Sequence, residues 1–410
     1  MNGQLKIIWL EIFILLFGIK IGAFFDMIWI YCLIIIFYVI VIKRENINLD
    51  IVFLLIFFYG FYSLTVLLMN GVYDYWHVFQ PIRAMINYLG ISLIISRYKK
   101  KEISWQKVLS ISNLVIYSHS IIVIATFLSP ELRLWIGRYT GFIEASYIRS
   151  PGLTHSYGIT SLLHIFPFLT VPFTKNSTYS TFIDYIGLSI TFISLFFLAR
   201  VGLYLTPLIM LSTLSYLGSK KKLDKMYLFL IFSLGLSVFL LIKIYSTGFV
   251  DNLILSSPRY SDNLALIYFN EIIRWSLEII VSTLSGKTNI ASVDRIGDFI
   301  FFNNSIFEYF FGTGLYGRLD IFNHLNTDQS YAHFFSMVGI VGILIIFLIY
   351  LSPIIFYKNL NKELSFIYFI FTLVILITNY KEATFFTRTL FSLWSINAVL
   401  LKYDSKKNTQ

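Results

Sequence analysis

The sequence has few charged residues and almost no cysteine. Charged residues make up 13% of the 410 positions and hydrophobic residues 57%, whereas a soluble globular domain carries roughly 25% charged residues. Cys32 is the single cysteine, which excludes an intramolecular disulfide framework and a thiolate metal cluster. These shortages argue against a soluble enzyme domain and favour a protein whose main solvent is lipid.

Sequence motifs for nucleotide and metal chemistry are missing as well. There is no Gly-x-x-x-x-Gly-Lys phosphate loop, no His-Glu-x-x-His, no Cys-x-x-Cys and no dinucleotide-binding glycine fingerprint. We therefore expect no cofactor, no bound metal and no nucleotide hydrolysis. The net charge of +10 is explained by membrane topology, as shown next, so a nucleic-acid partner is not expected.

Long apolar runs separated by short charged stretches fill the chain. About 20 helical residues are needed to cross a hydrocarbon core of about 30 Å. We therefore predict an all-α polytopic membrane protein of about twelve transmembrane helices, folded as one integral-membrane domain over residues 1–410. The predicted spans are 7–25, 27–42, 51–69, 78–96, 108–128, 157–172, 183–198, 201–217, 226–246, 332–350, 364–379 and 384–401.

The basic residues alternate between the two sides of this topology. With the amino terminus in the cytoplasm, every second connection holds a basic cluster, as the positive-inside rule requires, and both termini are then cytoplasmic. The inner loops and termini hold sixteen lysines but only two arginines, whereas the outer side holds nine arginines and two lysines. The outer arginines are Arg133, Arg138, Arg149, Arg200, Arg259, Arg274, Arg295, Arg318 and Arg388.

Orientation alone does not require arginine on the outer side. The planar guanidinium group suits bidentate binding of phosphate and stays charged at any relevant pH, so we expect an outer ligand that carries a pyrophosphate group. In the alternative interpretation, these arginines pair with outer carboxylates or lie at the lipid headgroups.

Two long segments lie on the predicted outer side, at 129–156 and 247–331. Loops of more than about 15 residues are usually functional or disordered. Apolar residues recur every three to four positions over 263–284, which predicts an amphipathic helix. A further helix is predicted over 295–311, ending at Gly312. We therefore expect 247–331 to be a large helical loop that packs on the membrane helices.

Four short motifs lie on this outer side. They are Arg149 to Ser156 before the sixth span, Arg200-Val201-Gly202, the pair Asp294-Arg295 with Gly312-Thr313-Gly314, and Asp328 to Tyr331 followed by Gly339-Ile340-Val341-Gly342. In this order, over the last two thirds of the chain, they resemble the superfamily of O-antigen polymerases and O-antigen ligases.

The resemblance implies a metal-independent membrane glycosyltransferase at the outer face of the bacterial inner membrane. Its substrates would be polyprenyl-diphosphate-linked oligosaccharides, polymerised into O-antigen, capsule or exopolysaccharide, and its protein partners a chain-length regulator and a flippase. Ligases of the superfamily usually carry histidine where this chain has Asp328, which favours a polymerase. The alternatives are a ligase that transfers finished glycan to lipid A core or another acceptor, and a repeat-unit flippase or exporter.

The expected chemistry assigns roles to particular residues. Transfer from a diphosphate needs a clamp on the leaving group and a base beside the attacking hydroxyl. Asp328 is the first candidate for the base, with His155 and His324 as alternatives, although Asp328 as a simple helix cap explains its position nearly as well. The residues predicted to bind diphosphate and sugar are Arg83, Arg149, Arg200, Arg295, Gly312, Gly314 and Tyr331.

Two further assignments concern residues inside the predicted spans. Arg83 lies within the fourth span, where an ionisable residue is by default functional, and structural pairing with a buried group is the alternative. His164 lies in the middle of an apolar run, and we expect it to be a packing histidine with its hydrogen bonds satisfied rather than a ligand.

Overall fold

The structure is a computed structural model in which most described residues are helical. It describes residues 3–21, 25–45, 47–71, 76–140, 149–154, 156–174, 178–222, 225–246, 305–315, 330–379 and 385–407. The predicted amphipathic helix at 263–284 and residues 295–304 of the next predicted helix lie outside these ranges.

The described residues between 3 and 246 hold ten α-helices and one two-stranded hairpin. They are α1 (Gly3–Phe17), β1 (Lys20–Ile21), β2 (Phe25–Asp26), α2 (Met27–Phe37), α3 (Ile51–Met69), α4 (Trp76–Lys100), α5 (Trp105–Leu128), α6 (Pro130–Thr140), α7 (Tyr157–Thr174), α8 (Thr181–Leu195), α9 (Arg200–Ser219) and α10 (Lys225–Ser246). A π-helical turn over Tyr38–Ile42 continues α2.

Four more helices follow in the described carboxyl-terminal part. They are α11 (Ile306–Phe311), α12 (Ser330–Phe356), α13 (Lys362–Thr378) and α14 (Arg388–Lys407). The all-α prediction is confirmed, and apart from the first, each predicted span coincides with a described helix to within several residues. Five of the described helices, α3, α5, α7, α9 and α12, are both long and apolar enough to cross a membrane.

The first predicted span is wrong at its carboxyl end. The prediction extends the span to residue 25, but α1 stops at Phe17 and the chain turns at Gly18 into the β1–β2 hairpin, where Lys20 pairs with Asp26 across the strands. Asp26 then caps α2, because its carboxylate accepts a hydrogen bond of 3.1 Å from the Ile28 amide. Polar residues therefore end the apolar helix earlier than hydropathy suggests.

The chain folds into two compact units. Unit 1 comprises Met1–Val108 and Arg295–Gln410, and unit 2 comprises Leu109–Asp294. In unit 1, α4 packs on α2, α3 and α14, and α12 packs on α3 and α11. In unit 2, α7 packs on α8 and α9.

Unit 1 has an aromatic core and a buried ion pair. The Trp394 indole is fully buried, with ring centroids 4.8 Å from Tyr350 and 5.3 Å from Phe391. The Asp50 carboxylate caps α3 and forms an ion pair with the Lys402 ammonium, 2.7 Å away. Both side chains are at most 10% exposed. Because a buried charge is costly without a partner, this pair fixes the carboxyl-terminal helix to the start of α3.

Candidate functional site

The structure describes six of the ten residues predicted to form the site. His155, Arg295, His324 and Asp328 lie outside the described residues, so their roles stay predictions. Of the remaining six, Arg149 and Arg200 belong to unit 2. Unit 1 contains Arg83, Gly312, Gly314 and Tyr331.

In unit 2 the structure brings the first two sequence motifs together. The amide of Ser150 donates a 3.0 Å hydrogen bond to the carbonyl of Phe197, in the turn that precedes Arg200. The Phe197 ring stacks on Phe127 with centroids 4.1 Å apart. The segment that starts at Arg149 is therefore held against the turn between α8 and α9, although 47 residues separate Ser150 from Phe197.

A third arginine joins these motifs from α6. A guanidinium nitrogen of Arg133 donates a 3.3 Å hydrogen bond to the carbonyl of Arg149. The Arg149 guanidinium lies 5.4 Å from the ring centroid of Tyr157, the first residue of α7, which is within the range of a cation–π contact. A small pocket opens beside them, lined by Thr126, Arg133, Ile136, Gly137, Thr140, Ser150, Pro151, Gly152 and Tyr157.

The arginine-x-glycine motif has a packing explanation. Arg200 is the first residue of α9 and is half-buried. Two residues later, a Cβ atom at Gly202 would lie 2.6 Å from the Cβ of Ser161 in α7. Because a methyl group cannot fit there, glycine allows the start of α9 to approach α7 closely, and this approach fixes where Arg200 begins the helix.

Beneath the Arg149 segment lies a network that we name the histidine network, formed by His119, His164 and Ser194. The amide of Leu153 donates a 3.0 Å hydrogen bond to Nε2 of His119. The Nδ1 atom of His119 lies 2.9 Å from Nε2 of His164, whose Nδ1 lies 2.7 Å from the Ser194 hydroxyl.

The direction of every bond in this network follows from its first member. An amide can only donate, so Nε2 of His119 is an acceptor and Nδ1 carries the proton. His119 then donates to His164, and His164 donates to the hydroxyl of Ser194. Both rings are therefore neutral, which suits two side chains with no measurable exposure. Gly152 is required here, since it has φ of 61° and a Cβ atom would lie 2.7 Å from Nε2 of His119.

His164 is buried and hydrogen-bonded on both ring nitrogens, as expected of a packing histidine whose polar atoms have partners. His119 is not among the residues predicted to form a site. The available signal was the polar run Ser118-His119-Ser120 inside an apolar span, since adjacent polar residues within a membrane helix are expensive unless they meet partners on another helix.

In unit 1 the third and fourth motifs also meet. The amide of Thr313 donates a 2.7 Å hydrogen bond to the carbonyl of Ser336, and the amide of Gly314 donates a 2.9 Å bond to that of Met337. These carbonyls are accessible because α12 is broken at Gly339, which has φ of 61° and ψ of −170°. The hydroxyl of Tyr62 donates a further 2.8 Å bond to the carbonyl of Val338.

This junction gives three predicted site residues a structural role. Gly312 has φ of 82°, and a Cβ atom there would lie 2.4 Å from the carbonyl oxygen of Met337. Gly314 is bonded to the same broken turn. Tyr331 donates a 2.6 Å hydrogen bond from its hydroxyl to the carbonyl of Leu376 and packs its ring on Phe385, so it ties α12 to the end of α13.

Arg83 lies in α4, where its positive charge acts on Lys20 and Arg388. The structure thus places it near basic residues that the sequence did not group with it. No group of three or more potential metal-ligating side chains occurs in the described part of the chain.

A comparison of the chain with protein-family models and with curated protein sequences gives no match. The functional interpretation therefore depends on the sequence motifs and on the geometry of these two regions.

Proposed function

We propose that this protein is an integral-membrane glycosyltransferase that polymerises polyprenyl-diphosphate-linked oligosaccharide repeat units at the outer face of the bacterial inner membrane. The observation that carries the proposal is the junction in unit 2, where Arg133, Arg149 and the turn before Arg200 come together. Guanidinium groups suit a ligand with several phosphate oxygens, and this junction joins the segments that carry the three arginines.

The proposal includes a topology of twelve crossing helices with both termini in the cytoplasm. It is supported by the agreement between most predicted spans and the described helices, and by the lysines at one set of helix ends. In this topology α6 and the Arg149 segment lie on the outer side, between α5 and α7. The same side then holds residues 247–331, the proposed large extracytoplasmic loop.

In the proposed reaction a sugar hydroxyl of one lipid-linked repeat attacks the anomeric carbon of the glycan on a second lipid. The bond from that carbon to the diphosphate oxygen breaks, and the oxygen keeps the electron pair. Arg149, Arg200 and Arg295 stabilise the diphosphate that leaves, and Asp328 takes the proton from the hydroxyl. The products are a longer lipid-linked glycan and a free polyprenyl diphosphate.

In this mechanism the histidine network holds the segment that carries Arg149 in position. Residues 149–154 lie outside the helices, so the bond from Leu153 to His119 helps to fix their conformation. A clamp of this kind is effective only if its donors are held in place before the reaction.

Alanine substitutions at Arg149, Arg200 and Arg295 test the proposal through the length of surface polysaccharide. Each should leave single repeats on the acceptor, because loss of one clamp residue slows transfer by about 100-fold. The matched control is Arg138→Ala, since Arg138 lies on α6 but is exposed, and it should keep the normal length distribution.

Other outcomes identify the alternative functions. Long chains that stay on the carrier lipid would indicate a ligase, and single repeats that accumulate in the cytoplasm would indicate a flippase. Normal polysaccharide length in all three variants, at normal expression, would contradict the proposal that these arginines bind the diphosphate.

A further inference from the structure

A cavity of about 660 Å³ lies in unit 1, between the turn that joins α4 to α5 and the last turns of α14. We name it the α4–α14 cavity, and its walls are formed by residues within 95–108 and 400–404. Its volume falls within the roughly 300–1,000 Å³ of sites that hold small molecules. The cavity contains none of the residues proposed to act in glycosyl transfer, so a ligand bound there serves another purpose.

The α4–α14 cavity is apolar at its floor and polar at its mouth. Ile95, Val108 and Leu400 form the floor and are at most 6% exposed. Glu102 and Ser104 also line the cavity but are exposed, so they mark the mouth. A ligand that contacts both ends should therefore be amphiphilic.

An aromatic side chain follows the floor residue on each of the three helices. These side chains are Tyr98, Trp105 and Tyr403, and each lies two or three residues outside the end of a predicted span. Tyrosine and tryptophan are enriched where the hydrocarbon core meets the lipid headgroups. In the proposed topology the cavity therefore crosses that boundary, at the level where a phospholipid has its headgroup and the start of its chains.

Two walls of the cavity are fixed by hydrogen bonds. The hydroxyl of Tyr98 donates to the carboxylate of Glu11 in α1. The ammonium of Lys99 donates a 2.6 Å hydrogen bond to the carbonyl of Tyr403 and lies 5.3 Å from the centroid of its ring. A site whose walls are held in this way has less conformational entropy to lose when a ligand binds.

The polar side chains of the cavity carry both signs of charge. Lys99 contributes an ammonium group, and Glu102 and Asp404 contribute carboxylates. Lysine binds phosphate as a point charge, and a carboxylate accepts short, strong hydrogen bonds from an ammonium group. A headgroup that carries both a phosphate and an ammonium has a counterpart for each, whereas a headgroup with phosphate alone would leave the carboxylates beside a like charge.

We infer that the α4–α14 cavity binds a zwitterionic phospholipid, with its phosphate beside Lys99 and its ammonium beside Glu102 and Asp404. The glycerol and the first carbons of the chains contact the apolar floor. The proposed topology assigns this lipid to the cytoplasmic leaflet. Binding itself does not depend on polymerase activity, because the cavity belongs to unit 1 and is measured without turnover.

The test compares two lipids that have the same chains and differ in the headgroup, phosphatidylethanolamine and phosphatidylglycerol. Each is added to the delipidated full-length protein in a non-ionic detergent, and binding is measured as the shift of the thermal unfolding midpoint. Phosphatidylethanolamine should raise the midpoint at lower concentrations than phosphatidylglycerol. The proposal is overturned if phosphatidylglycerol is equally or more effective, or if neither lipid raises the midpoint.

A third probe, glycerophosphoethanolamine, has the same headgroup without chains. It should shift the midpoint less than phosphatidylethanolamine at equal concentration, because it leaves the apolar floor of the cavity in contact with water. An equal shift would show that the chains contribute nothing and would exclude a lipid site.

Glu102→Gln locates the ammonium group. The affinity for phosphatidylethanolamine should fall about tenfold, the loss expected for one hydrogen bond between charged groups, whereas the affinity for phosphatidylglycerol should not fall. The matched control is Glu131→Gln, because Glu131 is exposed on α6 in unit 2. Equal affinity for phosphatidylethanolamine in both variants would contradict the placement of the headgroup.

Ile103→Trp fills the cavity without changing a charge. Ile103 lines the cavity and is half-buried, so a larger side chain can occupy part of the space. The variant should keep the unfolding midpoint of the lipid-free protein and lose most of the shift caused by phosphatidylethanolamine. A variant with the full shift would show that the lipid binds elsewhere.

Discussion

His119 connects the buried interior of unit 2 to the segment that carries Arg149. Its Nε2 atom accepts from the Leu153 amide and its Nδ1 atom donates to His164. Both ring nitrogens are therefore engaged, and the ring has no measurable exposure. Polar side chains within a membrane hydrogen-bond from one helix to another, and each such bond stabilises the packing by about 0.6–2 kcal/mol.

Substitution of His119 should loosen the Arg149 segment. His119→Phe fills the space but leaves the Leu153 amide and one nitrogen of His164 without partners, so we expect a loss of about 1–3 kcal/mol in unfolding free energy. His119→Gln should lose less, because its side-chain oxygen can still accept from the amide. Thermal unfolding in detergent measures the difference.

Glycosyl transfer should follow the same order if the network positions the clamp. The turnover of His119→Gln should lie between those of wild type and His119→Phe when all three are assayed at a temperature where they are folded. Equal stability and equal turnover for the two variants would show that the bond to Leu153 has no positioning role.

At the scale of elements, the break in α12 at Gly339 shows what a sequence can and cannot predict. The positions of the glycines are visible in the sequence, but the contacts that these glycines make with other helices are not. The spacing predicts a helix end at Gly312 and marks Gly339 and Gly342 as a pair. It cannot predict that these motifs bind one another, because the bonds from Thr313 and Gly314 to α12 are tertiary contacts that no local pattern encodes.

The same limit explains the other differences between sequence and structure. Apolar periodicity predicts the bounds of α3 and α10 closely, since hydrophobic length sets where a membrane helix can run. It places the end of the first span at 25 because Ile19 and Ile21 are apolar, although Gly18 and the pairing of Lys20 with Asp26 end the helix earlier. The neighbours of Arg83 are not predictable, because they come from the hairpin and from α14, far apart in sequence.

Gly339→Ala should disrupt the junction between α11 and α12. A Cβ atom there would lie 2.3 Å from the carbonyl oxygen of Phe310, and φ of 61° is itself strained for alanine. We expect a loss of at least about 2 kcal/mol, since backbone strain alone costs of order 1–3 kcal/mol. Urea or thermal unfolding in detergent checks this value.

Gly235→Ala is the matched control for this change. Gly235 lies in α10, and among the described residues no atom beyond the adjacent turns of its own helix lies within 4 Å of a Cβ. Alanine in a helix interior is more favourable than glycine by roughly 0.5–1 kcal/mol. The control should therefore be neutral or stabilising. A Gly339→Ala protein as stable as this control would contradict the close contact between the two helices.

At the scale of the whole molecule, the proposed polymerase activity depends on which side of the membrane each helix end faces. The distribution of basic residues supports one orientation, with sixteen lysines on the proposed inner side and nine arginines on the outer side. Only the positive-inside rule connects this count to an orientation. Chemical labelling of introduced cysteines can test this orientation directly, because the chain has a single native cysteine, Cys32, and it is buried.

Single cysteines introduced into a Cys32→Ser background should report the two sides. Arg138→Cys, on the exposed face of α6, should react in intact cells with a maleimide that does not cross membranes. Lys100→Cys, at the carboxyl end of α4, should react only after the membrane is opened, because that helix end faces the cytoplasm in the proposed topology. The reverse pattern would place the Arg149 segment in the cytoplasm, where it could not act on glycans displayed on the outer face, and the polymerase proposal would fail.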